Sequence, residues 1–355
     1  MKKELLLASA LVSTMGVASV AEAVTATTSG SHHTGLRGTD TDASTDASVA
    51  QVTASSFSVS LSETTDGGVG IASSFMLANE GTTGLQTAGL TLTFTDGSKL
   101  DVINGGNAAK SHDISVPGGA GEASITVTAA NRAQTGLDFF GEATAVGVEW
   151  HSAADFIADG LKIGASFSTD TGTAAAASAA LESSWGLGAT YVTTAGDTAV
   201  TIGAGVADSV WKDSGTDPSA GSNGFHVGFS AVTGSLTVAA GYANGDKVGN
   251  STATTVAGNE YEVNDNSVTK VGAKYVSGDV TLSVGFSSGA GKDSIVLGTA
   301  GTGEDAVDTT DAGISYAVAS GVTANIGWKD VDSQEAGASE TSGGTSWYIG
   351  ANMAF

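Results

Sequence analysis

Cysteine is absent, and proline occurs twice, at Pro117 and Pro218. Neither disulfides nor thiolate metal centres can hold such a chain together. Bases are scarce too: 13 Lys plus Arg stand against 37 Asp plus Glu, a formal net charge of −24. Nucleic-acid binding needs a basic footprint, so that function class is excluded. No run after the N-terminus approaches the roughly 18 apolar residues that a spanning helix requires. If the chain resides in a membrane, a closed barrel is the form left to it, because only helices and barrels satisfy every backbone hydrogen bond in lipid.

The N-terminus reads as a processing signal over residues 1–23. Lys2 and Lys3 make a positive start, Leu5 to Val20 are mostly apolar, and Ala21-Glu22-Ala23 has small residues at both cleavage positions. The segment is therefore expected to be removed after export, leaving 24–355 as a single domain. Glu4 and Glu22 balance the two lysines, so the acidity belongs to that domain. A surface of this sign attracts cations.

What the chain has in abundance is alternation. Trp347, Ile349, Ala351, Met353 and Phe355 share one parity, while Ser346, Tyr348, Gly350, Asn352 and Ala354 share the other. A strand written this way has one apolar face. The same grammar recurs in Leu161/Ile163/Phe167, Trp185/Leu187/Tyr191, Val200/Ile202/Val206 and Phe225/Val227/Phe229. It continues through Leu236/Val238/Tyr242, Val271/Tyr275, Val280/Leu282/Val284/Phe286, Ile314/Tyr316 and Val322/Ile326/Trp328. With the strand ending at Phe355, that makes ten consecutive strands. Earlier strands are weaker: Phe57/Val59/Leu61, Val69/Ile71/Phe75/Leu77, Leu90/Leu92/Phe94, Leu100/Val102 and Val146/Val148/Trp150. Two threadings give about 16 strands. One places the first strand after Val24; the other uses Ile125/Val127/Ala129 instead.

The connections alternate in length. Tight turns sit near Gly196-Asp197, Gly234, Gly278-Asp279 and Gly321, with the Gly and Asp that hairpins need. Longer polar segments lie near 169–182, 207–223, 243–266, 287–310 and 330–344. The fold class read from this rhythm is an all-β, transmembrane, antiparallel up-and-down barrel with short periplasmic turns and long external loops. Aromatics on the apolar parity near strand ends fit the two interfacial girdles of such barrels.

Candidate functional residues follow from phase. Lys270 and Lys274 alternate with Val271, Ala273 and Tyr275, so they are expected to point into the lumen. Lys99 and Lys162 are out of phase with their apolar neighbours and fit either the lumen or a strand end. The stretch 105–142 is the longest connection if Ile125/Val127/Ala129 is not a barrel strand, and is the candidate constriction loop. Its charged residues are Asp113, Glu122, Arg132, Asp138 and Glu142, together with Lys110. Enzyme signals are poor. Gly285-Phe286-Ser287-Ser288-Gly289 matches a nucleophile-elbow pattern, but no helix pattern follows it. His32 and His33 have no further ligands at metal spacing. His226 alternates with Phe225 and Val227 and reads as a lumen residue. No cofactor is expected. Calcium on the acidic loops is a further option, although Asp40-x-Asp42-x-Ser44-x-Asp46 has Thr45 where a calcium loop needs glycine.

With its signal, its turn-and-loop rhythm and its terminal strand Trp347 to Phe355, the chain resembles the general porins of Gram-negative bacteria. That resemblance implies a trimeric, 16-stranded outer-membrane barrel for passive diffusion of small hydrophilic solutes. It implies lipid and lipopolysaccharide as surroundings, and a barrel-assembly machinery that reads Trp347, Ile349, Met353 and Phe355. It also implies that 105–142 folds inward opposite a basic wall. The family wall usually carries several arginines, whereas residues 24–355 hold two, Arg37 and Arg132; cation preference is expected instead. The rival reading is a secreted calcium-binding structural or adhesive β-protein of surface-layer or solenoid type. Fixed-period repeats would mark it, and a dry core of Val, Ile and Trp would refute the barrel.

Overall fold

The computed structural model describes residues 24–42, 47–78, 85–104, 107–119, 146–169, 181–211, 221–250, 260–295, 303–334 and 341–355. Residues 1–23, expected to be a processing signal, and the candidate strand at Ile125, Val127 and Ala129 lie outside them. The described strands are β1 (Thr25–Thr41), β2 (Ser48–Thr64), β3 (Gly70–Ala78), β4 (Leu85–Thr93), β5 (Lys99–Asn104), β6 (Val146–His151), β7 (Leu161–Thr169) and β8 (Leu181–Ala195). They continue as β9 (Thr198–Trp211), β10 (Gly221–Thr233), β11 (Leu236–Asn250), β12 (Glu260–Ser277), β13 (Val280–Ile295), β14 (Gly303–Ala319), β15 (Val322–Gln334) and β16 (Thr341–Ala354). Each pairs antiparallel with its sequence neighbours, and β16 returns to β1, closing the barrel.

Closure gives every strand one outward and one inward face. Bulky apolar side chains take the outward one: Leu187 is 50 % exposed, Ile326 54 % and Ile349 49 %. The buried set instead includes Ser168, Ser346, Asn266 and His226, and half of its apolar members are alanines. This is the inverse of a soluble sandwich, and it removes the dry core that the secreted-protein reading requires. A surface so apolar and so continuous belongs in lipid.

The tight turns occur where expected. Gly196, Gly234, Gly278 and Gly321 have φ of 62°, 55°, 58° and 74°, a region closed to most side chains. The long connections are shorter than expected. β9 runs to Trp211, β12 begins at Glu260, and β14 spans 17 residues. Beyond the membrane both faces of a strand are wet, so apolar alternation stops while the backbone ladder continues. Phase therefore marks the lipid-embedded part of a strand and misses its projection.

The first strand is Thr25–Thr41, which settles the threading left open by sequence. It is rich in Gly, Ser and Thr and has little side-chain packing of its own. β16 supplies it. The ring of Phe355 lies over Gly30, that of Tyr348 over Gly35 and that of Trp347 over Gly38, so closely that a Cβ on any of the three would overlap the ring. The Tyr348 hydroxyl donates to the Thr34 carbonyl at 3.4 Å. Gly30 and Phe355 exchange two backbone hydrogen bonds of 3.1 Å. Aromatic cover of cross-strand glycines stabilises sheets that lack side chains of their own. Tyr348→Ala should therefore cost about 3 kcal/mol, the range for removing a buried aromatic, and Gly35→Val should be at least as harmful. Both are expected to lower the temperature at which the folded band disappears from a gel; an unchanged midpoint would show that this seam is not held by its rings.

Candidate functional site: a strap across the barrel wall

After β5 the chain turns inward. Asn107 caps a single helical turn, α1 (Ala108–Ser111), by accepting from the Ala109 amide at 2.9 Å. Asparagine before two alanines is a favourable helix start. The turn ends at His112. Ile114, Val116 and Pro117 then favour extended backbone, Val116 doubly so because it precedes proline.

The resulting strap, residues 107–119, crosses the inner wall from β6 to β14. It fits because the wall beneath it is glycine. Gly164, Gly188 and Gly205 are register partners across β7, β8 and β9, as are Gly203, Gly228 and Gly241 across β9, β10 and β11. Gly272 and Gly285 pair across β12 and β13. All occupy the inward parity. A Cβ at Gly164, Gly188, Gly203 or Gly228 would come within 3.0 Å of His112, Ala108 or Ile114. At Gly272 and Gly285 it would meet the Pro117 carbonyl, and at Gly313 the Gly119 backbone. Here glycine is required by close approach of another chain segment.

Polar contacts fasten the strap along its length. Ser166 Oγ accepts from the Ala108 amide at 2.8 Å. Ser111 Oγ donates to buried Glu149 Oε1 at 2.5 Å. His151 Nε2 lies 3.2 Å from that same oxygen and 3.6 Å from Asp101 Oδ2, and Thr91 donates to Asp101. Further along, His112 Nδ1 and Thr190 Oγ1 are 2.7 Å apart. His226, buried on β10, donates from Nε2 to the Ala109 carbonyl at 2.6 Å, and its Nδ1 is 3.7 Å from Asp113 Oδ1. At the far end Asp311 Oδ1 accepts from the Gly119 amide at 2.6 Å.

No family model and no curated protein matches the chain. Solved structures do. OmpF of Salmonella typhi, in complex with daunomycin, matches with a TM-score of 0.65 at 15 % identity over 93 % of this chain and 97 % of its own. The anion-selective porin of Comamonas acidovorans gives 0.64 at 11 % identity, over 94 % and 100 %. The trimer form of OmpT, an outer-membrane protein of Vibrio cholerae, gives 0.61 at 13 % over the same shares. The fold is that of the 16-stranded porins.

Within this porin fold the residues expected from phase are placed as follows. Lys270 and Lys274 are on the inward face of β12, and so are Lys99 on β5 and Lys162 on β7. Lys270 joins Asp113 and Ile114 around a small recess between the strap and β11–β12. Lys162 lies close enough to His112 to act on its charge. Lys274 lies further toward the turn end. Glu122, Arg132, Asp138 and Glu142 fall outside the described residues. Trp347, Ile349, Met353 and Phe355 are all exposed on the outward face of β16. The segment Gly285–Gly289 is paired strand within β13, so Ser287 sits on no elbow.

Phase reasoning overlooked Asn107, Ser111, His112, Glu149, His151 and Asp311 as strap contacts. The signal available was the glycine belt. Inward-parity glycines on consecutive strands mark a wall left bare for something to lie on.

His112 has a pKa held below the usual histidine range, first by burial and then by the neighbouring His151. A depressed histidine pKa means that the docked strap resists the proton while a detached one accepts it. Docking is therefore unaffected above about pH 6.5 and weakens as pH falls below it. Because the chain has no cysteine, a spin label on Ser115→Cys should report this directly. Its mobility is expected to rise between neutral and acid pH, with the rise reduced in His112→Gln; equal pH dependence in both would place the titrating group elsewhere.

Proposed function

We propose that the chain is a porin of the Gram-negative outer membrane, a passive diffusion channel for small hydrophilic solutes and ions. The observation that carries this reading is a closed 16-strand barrel, apolar outside and polar inside, with a fastened strap along its inner wall. Sixteen strands leave room for an aqueous passage. Solutes move down their gradient, sorted by size and charge, and no bond is made or broken. The strap is the constriction element, and the wider stretch 105–142 is the loop to which it belongs. Export relies on the signal at 1–23, and assembly on the terminal aromatic strand.

Cation preference is part of the proposal, supported by the net charge of −24. The wall works against it. Arg37, Lys99, Lys162, Lys270, Lys274 and Lys329 all take the inward parity, against Asp101, Glu149 and Asp311. The preference must then arise from acids around the loop end of the barrel, such as Asp308 and Asp332, direct cross-strand partners on the outward parity beyond the lipid belt. Carboxylates at a mouth raise the local cation concentration before the wall is reached.

Planar-bilayer recording tests the whole reading. The protein should form open channels, and a salt gradient should give a cation-selective reversal potential. Asp311→Ala, which frees the tip of the strap, should raise single-channel conductance. Absence of channels sinks the proposal, and unchanged conductance in the variant removes the strap from the constriction.

A homotrimer is also proposed. On the outward face of β1 and β2, His32, Thr34, Gln51, Thr53 and Ser55 interrupt the apolar belt, with His32 Nδ1 2.8 Å from Ser55 Oγ. Polar side chains facing hydrocarbon are costly, and a second copy seated on this streak would shield them. Thr34→Arg with Thr53→Arg should convert trimer to monomer on a native gel while leaving the barrel folded; a persistent trimer would move the interface to another face.

A further inference from the structure

The turn end of the barrel is polar almost everywhere. Its described hairpins close on Asp66-Gly67-Gly68, Asp96-Gly97, Gly196-Asp197, Gly234-Ser235, Gly278-Asp279 and Ser320-Gly321. The connection from β6 to β7 departs from this pattern. It is nine residues long, Ser152 to Gly160, and presents Phe156 at 49 % and Ile157 at 71 % exposure.

This connection is rigidly built. Ser152 pairs with Ile163 through an amide-to-carbonyl bond of 2.9 Å, and its hydroxyl accepts from the Ile163 amide at 2.9 Å. Asp155 holds φ at 61°, and its carboxylate accepts from the Gly160 amide. The Gly160 carbonyl in turn accepts from Val192 of the adjoining hairpin at 2.9 Å. A non-glycine residue in the left-handed region persists only when its surroundings hold it there. The two apolar tips are thus presented by a fixed scaffold.

Their position identifies what covers them. Phe94, Trp150 and Tyr191 lie on the outward, lipid-facing parity close to this end of the barrel and mark the membrane interface. Phe156 packs edge-on against Trp150, with ring centroids 5.6 Å apart and planes at 75°. The apolar surface therefore runs without a break from the lipid belt, through Trp150, onto Phe156 and Ile157.

We propose that this connection is a membrane foot: Phe156 and Ile157 enter the interfacial layer of the phospholipid leaflet at the turn end. Asp155 and Asp159 flank the tips and limit the depth, since a carboxylate belongs at headgroup level. The foot fixes the height of β6, the strand whose Glu149 and His151 hold the strap. The proposal rests on the transmembrane reading, and its test separates the two.

Spin labels are attached to Ile157→Cys, Ile202→Cys on the lipid belt and Ser235→Cys on a polar turn, each the sole cysteine in the chain. The folded proteins are reconstituted in vesicles of phosphatidylcholine and phosphatidylethanolamine, and label accessibility to oxygen and to an aqueous nickel chelate is measured. At position 157 the oxygen-to-nickel ratio should exceed that at 235 severalfold and approach that at 202. Equality with position 235, while 202 remains lipid-exposed, overturns the foot alone. An aqueous label at 202 overturns the membrane-spanning reading itself.

Discussion

A backbone amide in hydrocarbon has no water to fall back on. Every N–H and C=O that crosses the membrane must find its partner within the protein, and the rest of this structure follows from that demand. Sixteen strands satisfy it by pairing in sequence order, but the last pair, β16 with β1, has to be made across the whole length of the chain. It is also the pair with the poorest material on one side. The aromatic rings of Trp347, Tyr348 and Phe355 lying over Gly38, Gly35 and Gly30 show how that deficit is met. Glycine lets the strands and rings approach, and the rings supply the contact area that β1 lacks.

Closure then divides the side chains by parity, and parity carries two different jobs. Outward positions need only be apolar and large enough to meet lipid, which Val, Ile, Leu and the aromatics do. Inward positions are set by what they face. Where the wall meets open lumen, Lys, Ser and Thr occur. Where the strap lies on it, successive strands offer glycine instead. The strap can sit close only because a row of side chains has been deleted. Its own polar groups then reach the few wall residues that remain long enough to bind it: Glu149, Thr190, His226 and Asp311.

This division explains what was legible in the sequence. From Leu161 onward the outward rows are so apolar and the inward rows so polar that ten strands, their tight turns and the faces of Lys270 and Lys274 could be read without coordinates. β1 could not be settled, because Thr and Ser give no contrast between faces and its stability comes from β16. The lengths of β9 to β16 were underestimated for the related reason that contrast ends where lipid ends. At the candidate site, Asp113 was picked from loop length and charge. His112 and Asp311 were not, because nothing local distinguishes a residue that grips a strap from one that faces water; only the register of Gly164, Gly188 and Gly205 brings the site into view.

The same register argument bears on how charge is distributed. A wall whose lysines outnumber its acids would, taken alone, favour anions, yet the chain as a whole carries −24. The two are compatible because they act at different heights. Lys99, Lys162 and Lys274 lie toward the turn end of their strands, while Asp308 and Asp332 oppose each other in the extension of β14 and β15 toward the loops. Like charges directly opposite are unfavourable in a sheet, so such a pairing is tolerable where water screens it and intolerable at mid-membrane depth. Its presence marks β14 and β15 as having left the lipid by that point. The charges are thus separated by face as well as by height: Asp308 and Asp332 take the outward parity, whereas Lys329 stands on the inward wall opposite Asp311, which holds the tip of the strap.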